Sequence, residues 1–387
     1  MIFPFLDSPY LYPFFTCLSS VFYIFVQNFS HIWQEFKVLL GCTPWGFRPR
    51  HYNYFIVEPK ISKISVIIVN YNAGQWLERS VRSLLVQTEA DFECFIIDNG
   101  SKDNSLATLP KLDDRFTVIE RGYNSGFASA NNFAANLATS PWIALLNPDA
   151  FARENWLEEL LKAKDLAPNI SMVGSTQFLA LEDTPTLDGV GDCFHASGIA
   201  YRAGYKKQMP VPDTGFVFGP CGAGAMYNRD DYLTLGGFDE SFFCYHEDVD
   251  LAFRMQLMGK DCVQSATAII DHVSSAVSNT IPNFAIYHGT RNRIWTFFKN
   301  MPLPLLILLT PAHIFANIAY LAWSIVRRRF KTTWRGTWDG IKGLPRIFAA
   351  RKSVNAHRKL SSFRLLRRLT WSPLKVLRRG VHIRKLP

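Results

Sequence analysis

The stretch ISVIIVNYN, residues 64–72, decides the fold that we expect for this chain. Its apolar and mostly β-branched first part predicts a strand covered by helices on both faces of a sheet. Apolar residues from Leu77 to Leu85 then repeat at helical spacing. Further short apolar runs alternate with helical stretches as far as about Thr280, which predicts an α/β sheet. The predicted strands are Ile64–Val69, Phe92–Ile97, Phe116–Ile119 and Trp142–Leu146.

Polar side chains directly follow these strands. Asn70-Tyr71-Asn72 follows the first, Asp98-Asn99-Gly100-Ser101 the second, and Asn147-Pro148-Asp149 the fourth. The segment 122–126 precedes a helix that we expect to begin near Phe127. Ligands of open α/β sheets bind at the carboxyl ends of strands, so these segments form the candidate binding site.

Six motifs make the chain resemble the family 2 glycosyltransferases, especially the rhamnosyltransferase-like branch. The resemblance implies a GT-A fold, a mixed sheet flanked by helices, and an inverting transferase that uses a nucleotide sugar. One such motif would be weak evidence, but six in the family's order and approximate spacing are highly specific. They are SVIIVNYN (65–72), FIIDNGSKDNS (95–105), GYNSGFASANN (122–132), ALLNPDA (144–150), GGFDESFFCYHEDVDL (236–251) and RNRIWTFFKN (291–300).

We expect the nucleotide-sugar donor to contact seven residues at these strand ends and turns. The resemblance gives Asp98 the role of accepting the ring N–H of a uracil or thymine base. A turn-capping Asp before Asn-Gly is the structural alternative. The other six residues are Asn70, Asn72, Asn124, Gly126, Asn147 and Asp149.

Asp149 is the expected ligand of a divalent metal, Mg²⁺ or Mn²⁺. Sugar transfer leaves a nucleoside diphosphate with developing negative charge, and these ions bind through one or two carboxylates plus substrate phosphates. The family's usual Asp-x-Asp is here Asn147-Pro148-Asp149, so the first carboxylate is missing. His272, at the end of another apolar run, is the second candidate ligand. The alternatives are a turn Asp and a structural histidine.

Asp248 is the candidate general base, with Glu247 as the second choice. The base must take a proton from the acceptor hydroxyl as that oxygen attacks the anomeric carbon, and this single displacement inverts the configuration. The helix dipole alone partly explains acids in the first turn of a helix. Asp250 is expected to orient its neighbours or to contact the acceptor or a phosphate. Arg291 and Arg293 are candidates for pairing with diphosphate or lipid phosphate, with a solvated basic face as the alternative.

The net charge of +10 is concentrated near the C-terminus. Residues 327–387 carry 19 Lys and Arg against one acid, whereas the rest of the chain has a net charge of −8. Around residues 360–369 Leu and Phe alternate with Arg, which suits binding to anionic lipid head groups. We therefore expect an anionic membrane surface as a partner and no nucleic acid.

Two uncharged apolar runs also favour a membrane-associated protein. Residues 8–30 are long enough to span a bilayer, with an interfacial helix as the alternative, and the basic residues that follow favour a cytoplasmic catalytic domain. Prolines interrupt residues 301–326, which together with the basic tail favours a re-entrant or surface-lying element. The expected organisation is a hydrophobic segment and linker at 1–60, a GT-A domain at 61–300 and a membrane-associating region at 301–387.

The function expected from these features is transfer of a sugar to a hydroxyl of a lipid-linked or cell-surface glycan, with rhamnose from dTDP-rhamnose favoured by resemblance. A nucleotide-dependent oxidoreductase is the first alternative. Against it, Gly74 is the only glycine in residues 65–76, so the Gly-x-Gly-x-x-Gly motif of dinucleotide binding does not follow the first strand. A non-catalytic membrane adaptor that acts through the basic tail is the second. The seven scattered cysteines exclude an extracellular disulfide scaffold. Residues 177–218 are expected to shape acceptor choice.

Overall fold

The computed structural model describes residues 61–274, 281 and 283–386. The expected hydrophobic segment at 8–30 and the basic residues after it lie outside these ranges. Residues 60–387 form one compact unit. Its strands and helices, in chain order, are β1 (Ile64–Asn70), α1 (Gln75–Leu85), β2 (Phe92–Asp98), β3 (Phe116–Glu120), α2 (Phe127–Leu137), β4 (Trp142–Leu146), β5 (Ala150–Ala152), α3 (Trp156–Ala163), β6 (Ile170–Leu179), β7 (Leu187–Gly189), β8 (Asp192–Phe194), β9 (Ala200–Arg202), β10 (Gly215–Val217), β11 (Gly224–Asn228), α4 (Arg229–Thr234), α5 (Glu247–Met258), β12 (Asp261–His272), α6 (Phe284–Asn300), α7 (Leu303–Val326), α8 (Phe330–Lys342), α9 (Leu344–Ala356), α10 (Ser362–Leu366) and α11 (Pro373–Arg378).

The main sheet is mixed and runs in the order β10-β12-β6-β11-β4-β1-β2-β3. The strands β3, β2, β1 and β4 are parallel, and β11 inserts antiparallel between β4 and β6. The four predicted strands are confirmed within one residue at their ends. Parallel neighbours in register bring Asn70 and Asp98 to the same edge of the sheet.

Alternate residues of β1 enter two different cores, because successive side chains of a strand point to opposite faces. Val66 and Ile68 pack with Leu77 of α1 and with the residues of α3. Ile67 and Val69 pack on the other face with the alanines of α2 and with α5. Every residue of β1 is buried, as the nearly continuous apolar run predicts for a strand between two helical layers.

A third core joins the α/β body to the C-terminal helices. Phe194 and Phe218 stack, and both meet Phe253 edge-to-face, with ring centroids 5.0 to 5.2 Å apart. Phe297 of α6 belongs to the same cluster, as do residues of α7 and of the tail: Leu305, Leu306, Leu309, Leu360, Leu365 and Leu369. The expected boundary between residues 300 and 301 therefore falls inside one shared hydrophobic core.

Packing of the tail corrects part of the membrane interpretation. Leu360 and Leu369 are buried in the third core. Arg368 donates to the Lys260 carbonyl and forms an ion pair with Asp261. These three side chains therefore contact the protein itself. The sequence could not reveal this, because an apolar period that suits a lipid surface suits a protein surface equally well.

Helix α7 corrects a second expectation, since its prolines do not interrupt it. Pro302 is the N-cap, Pro304 lies in the first turn and Pro311 lies inside the continuous helix Leu303–Val326. A proline in the first turn costs no hydrogen bond because the N–H there has no partner within the helix. Among the helices of the described residues, only α7 has the length and the apolar composition needed to cross a membrane.

Candidate active site

A cleft of about 440 Å³ opens at the carboxyl ends of β1, β2 and β4. Its lining comes from segments far apart in sequence. The loops after β1 and β4, the N-terminus of α5 and the end of β12 all contribute side chains. It is the place where the polar strand ends were expected to meet, and seven of the predicted residues line it: Asn124, Gly126, Asn147, Asp149, Glu247, Asp248 and His272.

Asp149 and His272 form a pair on one side of the cleft. Strand β5 pairs antiparallel with β12 so that His272 lies opposite Ala150, next to Asp149. The Asp149 Oδ1 atom is 3.2 Å from His272 Nε2, and both residues are buried. Asn147 Nδ2 lies 3.4 Å from the same nitrogen. The sheet thus brings together the two residues that were predicted separately as metal ligands.

Asp188 holds the other side of the His272 ring. Its Oδ2 atom is 2.8 Å from His272 Nδ1 and also forms an ion pair with Arg202, which lines the cleft. Burial would lower the pKa of His272, but its hydrogen bonds to Asp149 and Asp188 and their negative charges raise it to about 9. Sequence reasoning noted Asp188 only as part of the segment expected to shape acceptor choice and missed Arg202, because nothing in residues 177–218 indicates a contact with a histidine 84 positions after Asp188.

The Asp149 and His272 pair fits a divalent metal. Two neighbouring ligands of an octahedral ion with bonds of about 2.1 Å lie about 3 Å apart, close to the separation of these two atoms. A carboxylate on the far nitrogen of a metal-bound histidine is the usual means of orienting the ring, and Asp188 has that place. Among the described residues no group of three or more His, Cys, Asp or Glu side chains is arranged around one point. Donor phosphates and water would therefore have to complete such a site.

Glu247 and Asp248 begin α5 on another wall of the cleft. Asp248 Oδ2 accepts from the Gly222 backbone N–H at 3.0 Å, and Oδ1 accepts from that of Val249 at 2.8 Å. Glu247 Oε2, by contrast, is a buried oxygen that has no hydrogen-bond partner among the described residues.

These surroundings affect the pKa values of the two carboxyl groups differently. Burial raises the pKa of Glu247 well above its ordinary value, and the charge of Asp248 raises it further. Burial also raises the pKa of Asp248, but its backbone donors and Arg202 oppose that rise. Hydrogen bonds to the charged form stabilise it. The surroundings therefore favour ionisation of Asp248 over ionisation of Glu247.

The loop before α5 has a strained backbone. Phe243, Tyr245 and His246 have φ values of 67°, 68° and 69°, in a region where non-glycine residues cost about 1–3 kcal/mol each. Asn292 of α6 stabilises this loop, since its Nδ2 donates to the carbonyls of Phe242, Cys244 and Tyr245 at 3.0, 3.0 and 2.6 Å. Sequence reasoning missed Asn292, although it lies between the two arginines that were selected.

Gly126 is required where this loop approaches the end of β2. A Cβ atom there would lie 2.6 Å from the Phe243 ring, and its φ of 87° also favours glycine. Asn99 ties the same region together, because its Nδ2 donates to Asn124 Oδ1 at 3.0 Å and to the Gly126 carbonyl at 3.2 Å. Asn99 lines the cleft, and the sequence placed it in a candidate binding segment without giving it a role of its own.

The family model described as "Glycosyl transferase family 2" matches residues 65–235. These residues carry β1, the Asn-Pro-Asp turn and one side of the cleft. Residues 65–235 therefore form a family 2 glycosyltransferase domain. A rhamnosyltransferase is also among the relatives of this chain.

Two relatives of this glycosyltransferase illustrate the match. An uncharacterized glycosyltransferase of Haemophilus influenzae is 31% identical over 29% of this chain and 36% of its own length. The N-acetylglucosaminyl-diphospho-decaprenol L-rhamnosyltransferase of Mycobacterium tuberculosis is 25% identical over 54% of this chain and 75% of its own length. The match thus spans about a third of the first relative and three quarters of the second.

The crystal structure of GalNAc-T7 with UDP, GalNAc and Mn²⁺ is similar in fold. The TM-score is 0.50 at 16% sequence identity, and the match covers 62% of this chain and 48% of that one. The mixed sheet flanked by helices is accordingly the GT-A fold, as the sequence predicted.

Three residues predicted for the donor do not line the cleft of this glycosyltransferase. Asp98 accepts from the backbone N–H groups of Gly100 and Ser101 at 3.2 and 3.1 Å, which is the geometry of the turn-capping alternative. Asn70 donates to the other Asp98 oxygen at 2.8 Å. Asn72 accepts from the Lys102 backbone at 2.7 Å. These contacts shape the turn after β2, and recognition of the base by Asp98 stays a prediction.

The three residues predicted to contact acceptor or phosphate also lie outside the cleft lining. Asp250 is fully buried and accepts from Arg254, Lys299 and Asn300 at 2.8 to 2.9 Å. Arg291 donates to the carbonyls of Ser241 and Phe242, and Arg293 donates to Asn317 of α7 at 2.8 and 3.1 Å. All three groups hold α6 against its neighbours, and for Asp250 this matches the expected orienting role.

Proposed function

We propose that this protein is an inverting glycosyltransferase that moves a sugar from a nucleotide diphosphate to a hydroxyl of a lipid-linked or cell-surface glycan. The observation that carries the proposal is the meeting, in one cleft, of the Asp149 and His272 pair with the carboxyl groups of Glu247 and Asp248. The first pair suits the leaving diphosphate and the second suits the attacking hydroxyl. A GT-A fold alone would not support this division of roles, since function depends on the site.

Asp248 is the proposed general base. As the acceptor oxygen bonds to the anomeric carbon, its proton passes to the Asp248 carboxylate and the bond from that carbon to the diphosphate oxygen breaks. One displacement of this kind inverts the anomeric configuration. The Gly222 and Val249 N–H groups keep the Asp248 carboxylate ionised and oriented before the reaction. Glu247 remains the second candidate, and the proton that it holds keeps a second negative charge away from the incoming hydroxyl.

Asp149 and His272 are the proposed metal ligands, with Asp188 orienting the imidazole. A bound Mg²⁺ or Mn²⁺ would offset the negative charge that develops on the leaving diphosphate. Of the described residues that line the cleft, Arg202 is the only Lys or Arg. Its positive charge beside Asp188 and Asp248 supports placing a phosphate-bearing donor here.

Rhamnose from dTDP-rhamnose is the proposed donor, and a sugar linked to a lipid diphosphate is the proposed acceptor class. Support comes from the M. tuberculosis relative, whose name states an L-rhamnosyl transfer to N-acetylglucosaminyl-diphospho-decaprenol. We also propose that the protein is membrane-associated with its catalytic domain in the cytoplasm, where nucleotide sugars would be available to it.

The test is to incubate the purified full chain with dTDP-, UDP- and GDP-sugars, a membrane lipid extract and Mn²⁺ or Mg²⁺. Mass spectrometry of the products identifies the sugar and the acceptor, and NMR of the new anomeric centre reports the stereochemistry. We expect an inverted rhamnosyl product and loss of activity both with EDTA and in Asp149→Ala. Retention of configuration would exclude Asp248 as the base of a single displacement, and full activity with EDTA would exclude the metal.

A further inference from the structure

The outer face of α7 is apolar and exposed. Among the described residues nothing covers Ile307, Phe315 or Val326, whose side chains are 70, 74 and 80% exposed. The opposite face packs into the third core through Leu305, Leu306 and Leu309. A contiguous exposed apolar face of this kind usually marks an interaction surface.

Helix α8 continues this surface with a row of aromatic rings. Phe330, Trp334 and Trp338 recur every four residues and are 42, 50 and 47% exposed. Their rings stack in succession with centroids 6.3 Å apart. Gly336 and Gly340 lie on another face, where an added Cβ would be within 3.0 Å of α6 atoms. The glycines thus fix which face of α8 meets the protein and leave the aromatic rings outside.

The contacts of α7 run along its whole length and therefore argue against a spanning orientation. Leu305 packs in the core near the first turn, His313 Nδ1 is 2.9 Å from the Ser197 carbonyl, and Asn317 accepts from Arg293. Ser324 near the last turn is also buried. A helix that crossed the bilayer would draw the catalytic body in with it, and the many buried polar groups of that body could not be satisfied there.

Basic residues adjoin the apolar surface. Arg327, Arg328 and Arg329 form the turn between the two helices, and Lys331 and Arg335 follow on α8; all five are exposed. Arg327 lies 4.9 Å from the Trp323 ring centroid and Lys342 lies 5.4 Å from that of Trp338. Tryptophan rings with nearby cations are typical of the boundary between lipid head groups and acyl chains.

We propose that the outer faces of α7 and α8 form a membrane-docking surface that lies in one leaflet of a bilayer with anionic head groups. Helix α7 lies along the interface, and the rings of α8 enter the head-group layer beside the basic turn. The buried leucines and Arg368 at 360–369 do not take part. This proposal rests on exposed surface and charge alone and is independent of the proposed sugar transfer.

The docking surface lies one helix away from the cleft. Asn292 of α6 holds the strained loop that lines the cleft, and the adjacent Arg293 binds Asn317 of α7. A bilayer on α7 would therefore lie close to the wall that carries the proposed base. This consequence does rest on the proposed function, because it matters only if the acceptor is carried by a lipid.

The test uses the full chain on vesicles of phosphatidylcholine with about a third phosphatidylglycerol. A polarity-sensitive fluorophore is attached to a single introduced cysteine at Ile307, Phe315, Val326 or Trp338, and the signal of the identically treated parent chain is subtracted. Phe363 and Trp371 of the tail, 63 and 53% exposed, are the matched control positions. Lipids that carry a quencher at known depths then report where each probe lies, whether or not residues 8–30 also hold the chain on the vesicle.

We expect quenching at a similar shallow depth for the three α7 probes and the α8 probe, and none for the two tail probes. A probe at Phe315 near the bilayer centre, with Ile307 and Val326 shallower, would show a spanning helix and overturn the proposal. Equal quenching of the tail probes would also overturn it. Shielding of the α7 and α8 probes from water in lipid-free solution would overturn it too, because this face would then be covered by a second copy of the chain or by residues 1–60.

A charge variant tests the head-group preference. The triple variant Arg327→Ser, Arg328→Ser, Arg329→Ser is compared with the tail pair Arg364→Ser, Arg367→Ser. Each basic residue near an anionic surface changes affinity about fivefold, so we expect the triple variant to lower probe insertion into anionic vesicles by about a hundredfold and the tail pair to change it little. If the triple variant kept the same preference for anionic vesicles, the anionic bilayer would be excluded as the partner of this surface.

Discussion

Two groups of carboxylates at the start of α5 differ in what surrounds them. Asp250, one turn into the helix, is balanced by Arg254, Lys299 and Asn300. Asp248, on the cleft side, accepts from backbone N–H groups and has the charge of Arg202 nearby, while Glu247 Oε2 has no hydrogen-bond partner among the described residues. A buried charge in direct ion pairs holds structure together, whereas a carboxylate without a direct ion pair can still take a proton. Three acids in one helical turn thus serve two purposes.

The largest expected effect comes from Asp248→Asn. Loss of a general base lowers kcat by about 10²–10⁴. The amide oxygen replaces only one of the two carboxylate oxygens that accept from Gly222 and Val249, so the unfolding free energy should also fall by about 1–3 kcal/mol. The wild-type kcat should also fall on acidification below a pKa higher than that of an ordinary Asp, since burial raises the pKa of this carboxyl. Product formation across pH and thermal unfolding check both points. If Asp248→Asn kept the kcat of the wild type, Asp248 would not be the base and its contrast with Asp250 would be wrong.

Asp250→Asn is the matched control and should act in the opposite way. Removing this charge leaves buried Lys299 without one partner, and breaking a buried ion pair costs about 3–5 kcal/mol of unfolding free energy. Denaturant unfolding measures this loss. At a temperature where the variant is folded, its kcat should stay far above that of Asp248→Asn. A specific loss of kcat without loss of stability would move Asp250 into the reaction.

Asn292→Ala should have an intermediate effect. It leaves three carbonyls of the strained loop without their donor, which costs about 1–3 kcal/mol, and we expect the loop before α5 to relax. Because that loop carries Phe243 and Tyr245 into the cleft, KM for the donor should rise together with a fall in kcat. Asn317→Ala, which affects the neighbouring Arg293 instead, is the control. Equal kinetic effects of the two variants would show that α6 packing in general is responsible.

The smallest effect concerns Asp239, which shares Lys299 with Asp250. Burial would raise the pKa of Asp239, but Lys299 and the Ser241 hydrogen bonds lower it from 3.8 to about 2. A pKa lowered on folding contributes stability that is present above about pH 4 and lost as pH falls towards 2, by about 2 kcal/mol. Unfolding curves between pH 5 and 2 should show a smaller loss in Asp239→Asn than in wild type. Identical acid dependence in the two proteins would exclude this contribution.

The sequence predicted local features well and distant partnerships poorly. The first four strands and the starts of α2 and α5 follow from apolar periods and turn residues. The roles of Asp188, Arg202 and Asn292 were not found because they depend on partners 84, 14 and about 50 positions away. The packing of Leu360 and Leu369 was not foreseen for the same reason, since a Leu and Arg period does not reveal whether an apolar side chain faces lipid or the protein core.

By itself, the sequence determined the first four strands, the acids in the first turn of α5, the Asn-Pro-Asp turn and the resemblance to family 2 glycosyltransferases. Tertiary structure alone decided which of these polar groups share a cleft. It placed Asp149 against His272 through the pairing of β5 with β12, and it neutralised Asp250 with lysine and arginine while leaving Asp248 to backbone donors. The physical reason is that a side chain's charge state and role depend on burial and on neighbours, and folding brings those neighbours from distant parts of the chain.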